Sequence, residues 1–178
     1  NMISNEALAT RTYIVNIVMF TYIFALSLSQ GGAILIGQLV GMKKIKAAYT
    51  IGKRVMRVGV AFSVTLSLLL AIFGKPVLSM LTSDPWIIST GTAILWVEIF
   101  LENGRALNFF GVNALRSAGD IYFPVILGII VMRGVQVVGS YILGITLGWG
   151  LIAMWAIFAL DENIRGFIFV RRWNSFKW

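Results

Sequence analysis

The chain has 178 residues, of which 58% are hydrophobic and 12% are charged, and its mean hydropathy is +0.87. Soluble domains are roughly 45–50% apolar and about 25% charged, so this composition predicts an all-α, polytopic membrane protein. The lack of cysteine and histidine excludes disulfides, thiol catalysis and the commonest zinc ligands, and the net charge of +8 lies mostly beside apolar runs, where membrane orientation explains it better than nucleic-acid binding.

Five apolar runs of membrane-spanning length follow one another along the chain, and we predict a transmembrane helix for each of them. Connectors that contain Gly, Pro or Asp, such as "GMKK", "RSAGD" and "TLGWG", separate these runs. The predicted helices lie near Thr12–Gly41, Val58–Thr82, Trp86–Leu115, Ile121–Leu147 and Trp149–Val170.

Basic residues beside the apolar runs set the predicted direction of the spans. Most of them follow the first, third and fifth spans, whereas the alternate connectors hold only Lys75 and Asp84. Because cytoplasmic loops are enriched in Lys and Arg, we expect a multi-pass protein of the cell membrane with a cytoplasmic C-terminus. The basic residues on the predicted cytoplasmic side are Lys43, Lys44, Lys46, Lys53, Arg54, Arg57, Arg116, Arg171, Arg172 and Lys177. Those from Lys43 to Arg57 are also expected to contact anionic lipid headgroups.

Five spans and a cytoplasmic C-terminus place residue 1 on the outside of the membrane. The first residues do not resemble a signal peptide that would bring them there. We therefore expect at least one further helix upstream, so that residues 1–178 form a single partial transmembrane domain from the C-terminal part of a longer protein.

The third predicted span carries ionisable and amide side chains within a membrane-length helix. Glu98, Glu102 and Arg105 are spaced by four and three residues, so they share one face, which Asn108 and Asn113 continue. A charge in hydrocarbon costs roughly 2.5–3.5 kcal/mol or more, so we expect this stripe to face protein or water. Two ionised glutamates one turn apart repel each other, which favours a site for a coupling proton or cation; a structural Glu102–Arg105 ion pair is the alternative.

The fourth and fifth spans add further charges. Arg133 lies about 18 Å into the fourth span, and an antiparallel hairpin of spans three and four would bring it level with Arg105. Glu102 would then bridge the two arginines unless water or substrate separates them; the alternative is that Arg133 only packs against the bundle. In the fifth span Asp161 and Arg165 lie four residues apart with the acid first, which predicts a gating or structural pair.

The segment "NALRSAGDIYFP", Asn113–Pro124, is predicted to be a cytoplasmic hinge between spans three and four. Arg116 lies in the last turn of one helix, Gly119 lies past its end, and Asp120 is placed to cap the next helix. Pro124 suits the first turn of that helix, where a missing N–H does no harm. Contact with substrate on the cytoplasmic side is the alternative role of this segment.

Three stretches, taken together, resemble the multidrug and toxic compound extrusion (MATE) transporters. They are "ILIGQLVGMKKIKAA" after the first span, "ENGRALNFFGVNALRSAGDIYFPV" at the third, and "GWGLIAMWAIFALDENIRGFIFVRRWNSFKW" at the end. The resemblance covers essentially the whole chain and implies helices eight to twelve of a twelve-helix transporter that has two six-helix lobes. Helix seven and the N-terminal lobe would then be the partners of this segment.

The resemblance also implies a function, secondary antiport, in which entry of Na⁺ or H⁺ drives the export of amphipathic, often cationic compounds by alternating access. Apart from the coupling ion, no cofactor and no metal site is expected. Some members carry an acidic residue eleven positions before the arginine of the "LR" pair, where this chain has Arg105, and Glu102 is the candidate substitute. The expected coupling residues are Glu98, Glu102, Arg105, Asn108 and Arg133.

Three other functions compete with antiport. A lipid-linked precursor flippase of the same wider superfamily would have a more basic cavity, to which Arg105 and Arg133 would contribute. A non-transporting membrane scaffold would leave the carboxylates dispensable. A membrane-embedded enzyme that uses Glu98 and Glu102 as acid and base is disfavoured, because the chain has no histidine, cysteine, DxD or HExxH pattern, and we expect no enzymatic activity.

Overall fold

A computed structural model describes residues 5–178, and these residues are almost entirely helical, with no β-strand among them. The predicted all-α class is confirmed. Long apolar runs favour helices because a backbone in hydrocarbon must satisfy its N–H and C=O groups within its own segment. The α-helices are α1 (Asn5–Gly41), α2 (Ile45–Ile72), α3 (Gly74–Leu81), α4 (Pro85–Ser117), α5 (Tyr122–Val131) and α6 (Gly150–Asn174).

The helix that begins as α5 changes its winding partway along. It continues through two π-helical segments, Met132–Val137 and Ser140–Thr146, in which backbone N–H groups bond one residue further back than in an α-helix. The whole helix Tyr122–Thr146 lies at the side of the bundle, where it packs mainly against α6 and exposes many apolar side chains.

Within residues 5–178, three helices are long and apolar enough to cross a membrane: α1, α2 and the helix Tyr122–Thr146. α4 and α6 have 33 and 25 residues and are long enough to do so, but ionisable residues interrupt their apolar sequences. Length and composition therefore confirm three of the five predicted spans.

The predicted limits of the second span, Val58–Thr82, are wrong at both ends. α2 already begins at Ile45, and α3 follows it as a separate short helix. The basic residues of 46–57 therefore lie on a helix, because Lys and Arg are good helix formers even where the sequence is not apolar. The connector between α1 and α2 consists only of Met42–Lys44.

α4 is the centre of the bundle and packs against α1, α2 and α6. α1 and α4 run in the same direction, since Gly91 lies beside Ile14 and Gly37 lies beside Ser117. Among the described residues, buried apolar side chains form one cluster toward each end of the bundle. The polar side chains in the middle of α4 lie between these two clusters.

One end of the bundle collects the basic regions that the sequence analysis singled out. Ser117, at the end of α4, lies beside Gly37 near the end of α1, and Trp173, at the end of α6, packs on Gly52 in the first half of α2. The segments that precede α2, follow α4 and follow α6 are therefore on the same side, as the alternation of spans predicts.

Candidate functional site

The middle of α4 holds the stripe of ionisable residues that the sequence predicts. Helical spacing puts Glu98, Glu102 and Arg105 on one face, and this face lies against protein. Glu98 and Glu102 are 1% and 0% exposed, whereas Arg105 is 16% exposed. The expectation that both carboxylates face protein and not lipid is confirmed.

Arg105 forms ion pairs with both Glu98 and Glu102. The Arg105 guanidinium contacts a carboxylate oxygen of Glu102 and lies 3.3 Å from Oε1 of Glu98. The indole N–H of Trp155, on α6, donates to the other oxygen of Glu98. The Tyr22 ring, on α1, lies under the guanidinium at 5.6 Å, a distance at which a cation and an aromatic face attract each other. Glu98, Glu102 and Arg105 thus form a triad on α4 that residues of α1 and α6 hold in place.

A second triad lies on α6 and, like the first, consists of two carboxylic acids and one arginine. Arg165 contacts Asp161 and lies 3.2 Å from Oε1 of Glu162, so the predicted Asp161–Arg165 ion pair is present. Asn108, from the α4 stripe, donates to the second carboxylate oxygen of Glu162. Sequence reasoning missed Glu162 as a site residue, although its place next to Asp161 on a largely apolar helix was a signal. Asn108 thus connects α4 to the second triad.

The backbones of α4 and α6 come unusually close between the two triads. A Cβ atom added at Gly104 would lie 2.5 Å from the backbone nitrogen of Asn163. The Asn163 amide donates to the carbonyl oxygens of Phe100 and Ala159, both at 2.8 Å, and accepts from Asn103 at 2.9 Å. Sequence analysis did not single out Gly104, Asn103 or Asn163, because a glycine or an amide becomes informative only when the facing helix is known.

We call the following seven residues the α4/α6 polar cluster. It contains four carboxylic acids and two arginines, so it would carry a net charge of −2 if every group were ionised. Three of its oxygen atoms, Oε2 of Glu102, Oδ1 of Asp161 and Oδ1 of Asn108, are buried and have no hydrogen-bond partner among residues 5–178. Buried charge without a partner is costly, so this arrangement favours the uptake of protons or small cations. The cluster consists of Glu98, Glu102, Arg105, Asn108, Asp161, Glu162 and Arg165.

Arg133 does not join this cluster, and the expectation that Glu102 bridges Arg105 and Arg133 is wrong. Arg133 is exposed and makes no ion pair with any residue of the described chain. Arg133 would lie level with Arg105 only if the fourth span packed along α4. The helix Tyr122–Thr146 instead packs mainly on α6, which leaves Arg133 exposed and away from Arg105.

The connector between α4 and α5, which was predicted to be a hinge, has the expected local structure at three of the four residues singled out. Arg116 lies in the last turn of α4, Gly119 follows the helix with a φ of +106°, a conformation that favours glycine, and Pro124 lies in the first turn of α5. The predicted cap is wrong, because Asp120 does not bond the first N–H groups of α5. Its carboxylate instead accepts from Nε of Arg172, on α6, at 2.8 Å.

Apolar helices that enclose a buried cluster of ionisable residues define a polytopic membrane protein with a polar site between its helices. The MatE family model matches residues 1–142, and the chain belongs to this family, which confirms the resemblance to the MATE transporters. The uncharacterized transporter YisQ of Bacillus subtilis (strain 168) is 39% identical over 173 residues, which is 97% of this chain and 38% of that protein. The chain thus spans less than half the length of this relative, and both comparisons point to a membrane transporter rather than an enzyme.

Proposed function

We propose that this chain is part of a secondary active efflux transporter, in which entry of Na⁺ or H⁺ drives export of amphipathic or cationic compounds by alternating access. The MatE family and the transporter relative support this proposal. On this proposal the chain corresponds to helices eight to twelve of a twelve-helix protein. Residues 1–178 then form part of one lobe, and the helix before them and the other lobe are their partners.

The observation that carries the proposal is the excess of acidic groups in the α4/α6 polar cluster. Each arginine in it faces two carboxylic acids, so each triad binds one further positive charge to become neutral. Ionisable residues buried in membrane helices are typical of proton and ion pathways. A protein that loads and releases such a charge changes the electrostatic field of this cluster, and this change would favour one of two arrangements of the helices that pack around α4 and α6.

Two features support membrane-spanning positions for α4 and α6 as well. Their acids face the cluster, whereas large side chains on their outer faces, such as Phe100 and Phe167, are 70% and 66% exposed. Lipid around the bundle would therefore meet apolar surface. With all five long helices spanning, the end of the bundle that carries the basic regions would face the cytoplasm, together with the C-terminus.

The proposal is tested by transport with the complete protein in proteoliposomes. A fluorescent cationic dye serves as substrate, and a Na⁺ gradient or a pH gradient is imposed across the membrane in separate experiments. We expect one gradient to accelerate dye export, and we expect Glu102→Gln to abolish this acceleration while the protein still inserts and folds. Glu6→Gln, which changes an exposed acid in the first turn of α1, is the control and should leave export unchanged.

Two outcomes would contradict the proposal. If neither gradient changes the rate of dye movement, the protein is not a cation-coupled exporter of such compounds. If Glu102→Gln exports as fast as the unchanged protein, this acid has no part in coupling. A scaffold predicts both results, because its carboxylates would be dispensable.

Arg105 and Arg133 give the flippase alternative less support than the sequence suggested. Arg105 is bound by two carboxylates, and Arg133 is exposed on the outer helix. A site that attracts a lipid-linked pyrophosphate would require cations that are free of acidic partners. Translocation of a lipid-linked sugar by the same proteoliposomes, without dye export, would reverse this preference.

A further inference from the structure

A cavity with basic walls lies where the helix Tyr122–Thr146 begins and α6 ends. Its volume is about 250 Å³, slightly below the roughly 300–1,000 Å³ of sites that bind a drug-sized ligand. Two apolar, three basic and one hydroxyl side chain line it. They are Phe123, Ile168, Arg171, Arg172, Lys177 and Ser175. The cavity therefore combines an apolar surface with a concentration of positive charge.

The three basic side chains of this cavity are only partly neutralised. Nε of Arg172 donates to Asp120 at 2.8 Å, and the guanidinium lies over the Phe123 ring at 4.8 Å. Arg171 and Lys177 are exposed and form no ion pair with any residue from 5 to 178. Three cations and one carboxylate leave a net charge of +2 beside the cavity. An anion is therefore the ligand that this cavity favours.

The other acidic side chains of the chain lie away from this cavity. Four of the seven belong to the α4/α6 polar cluster in the middle of the bundle. Glu6, in the first turn of α1, and Asp84, before α4, lie at the opposite end. Asp120 is thus the one acidic side chain near the end of the bundle that carries the basic regions, and it cannot neutralise the cavity alone.

The cavity lies at a level where lipid headgroups meet the protein. The helix Tyr122–Thr146 is long and apolar enough to span a membrane, so its first residues lie at one surface of the hydrocarbon. Tyr122 is 82% exposed, and tyrosine is enriched at this boundary. Further into the membrane, Ile126 and Ile130 on the same helix and Leu160 on α6 are exposed. A ligand with an anionic head and apolar tails fits both environments.

We propose that this cavity binds the phosphate headgroup of an anionic phospholipid. Arg171 and Arg172 provide planar guanidinium groups, which suit the oxygen atoms of a phosphate, and Lys177 adds a compact charge. Basic pockets beside membrane helices are typical binding sites for anionic headgroups. Because its walls come from α5 and α6, a lipid bound there would connect the beginning of one helix to the end of the other.

Lipid binding to the purified complete protein in a neutral detergent tests this site. Phosphatidylglycerol and phosphatidylcholine are titrated separately, and native mass spectrometry gives Kd of the first bound lipid. We expect phosphatidylglycerol to bind at least about tenfold more tightly, since choline neutralises the phosphate charge. Arg171→Ala and Lys177→Ala should each weaken phosphatidylglycerol binding about fivefold, the effect typical of one basic residue on an anionic lipid. Both side chains are exposed, so Tm without lipid should not change.

Lys46→Ala is a matched control, because Lys46 is an exposed lysine near the same end of the bundle but does not line the cavity. This variant removes the same charge and should keep Kd of the unchanged protein. If Lys46→Ala weakens binding as much as Lys177→Ala does, the attraction is general and the site is wrong. Phosphatidylcholine that binds as tightly as phosphatidylglycerol would overturn it as well.

Glycerol phosphate distinguishes a lipid from a soluble phosphate compound, because it carries the headgroup phosphate without acyl chains. We expect no bound glycerol phosphate at concentrations that saturate the protein with phosphatidylglycerol. Equal affinity for the two would mean that the ligand is a soluble phosphate compound and that the lipid assignment is wrong. Lipid binding does not depend on transport, so a failure of dye export would contradict the proposed function and leave this site standing.

Discussion

α6 contacts its two neighbours in opposite ways. Against α4 it forms a close contact of backbones and polar groups, in which Gly104 leaves room for Asn163 and two ion triads face the interface. Against the helix Tyr122–Thr146 it packs apolar side chains, such as Met154 against Gly144 and Ile157 against Gly139. Hydrogen bonds and ion pairs require one geometry, whereas apolar contacts accept several. The comparison indicates that α4 and α6 form a fixed unit and that the outer helix is the adjustable neighbour.

Removing the arginine of the α4 triad should break the fixed unit most severely. Arg105→Ala leaves Glu98 and Glu102 buried without their cation, and we expect a loss of about 3–5 kcal/mol in the free energy of unfolding. Arg133→Ala, on the outer helix, should change it by less than about 0.5 kcal/mol. Thermal unfolding of the complete protein in detergent compares the two variants, and equal effects would mean that the triad does not stabilise the unit formed by α4 and α6.

The hydrogen bond from Trp155 to Glu98 should give the next largest effect. Trp155→Phe removes this donor to a carboxylate, which is typically worth about 1.5–3 kcal/mol. Trp173→Phe is a matched control, because Trp173 is fully buried but its indole nitrogen has no partner among residues 5–178. Both variants lose the same volume, so the difference between their unfolding midpoints measures the hydrogen bond. No difference would argue against a charged Glu98.

The close approach of the backbones can be tested with one methyl group. Gly104→Ala places a Cβ atom against the backbone of Asn163, and overpacking of this kind costs about 1–3 kcal/mol. Gly134, on the outer helix, has no atom within 4 Å of an added Cβ. Gly134→Ala should therefore be neutral or gain up to about 1 kcal/mol from helix propensity. Destabilisation by Gly104→Ala alone would support the comparison. A similar loss in the free energy of unfolding for both variants would contradict it.

The smallest effect is expected where α6 contacts the hinge before the outer helix. Arg172 and Asp120 form a partly exposed ion pair, and such pairs contribute about 0.2–1 kcal/mol. A double-mutant cycle with Asp120→Ala and Arg172→Ala should measure a coupling in this range. The same cycle with Arg171→Ala, which changes the exposed neighbouring arginine, should measure none. A coupling well above 1 kcal/mol would mean that this side of α6 is also rigid.

Features that depend on neighbours along the chain could be predicted from the sequence. The spacing of Glu98, Glu102 and Arg105 defines a single helical face whatever surrounds it. The start of α4 follows from Asp84, whose carboxylate accepts from the N–H groups of Trp86 and Ile87. These features require only the geometry of one helix.

Features that depend on the facing helix could not be predicted. Trp155, Asn163 and Glu162 belong to the site because α6 is rotated so that they meet α4, and this rotation is set by the packing of whole helices. Asp120 was expected to cap α5 but pairs with Arg172, a residue far away in sequence. The expected position of Arg133 beside Arg105 was wrong because the sequence does not show that the fourth span packs on α6 and not along α4.

The π-helical segments have a consequence for how the outer helix can change length. A π turn accommodates one residue more than an α turn over the same rise, so a switch of Met132–Val137 to regular winding would rotate and extend everything that follows, up to the turn before α6. The far end of the helix would then rotate about the helix axis and advance along it while α4 and α6 keep their positions.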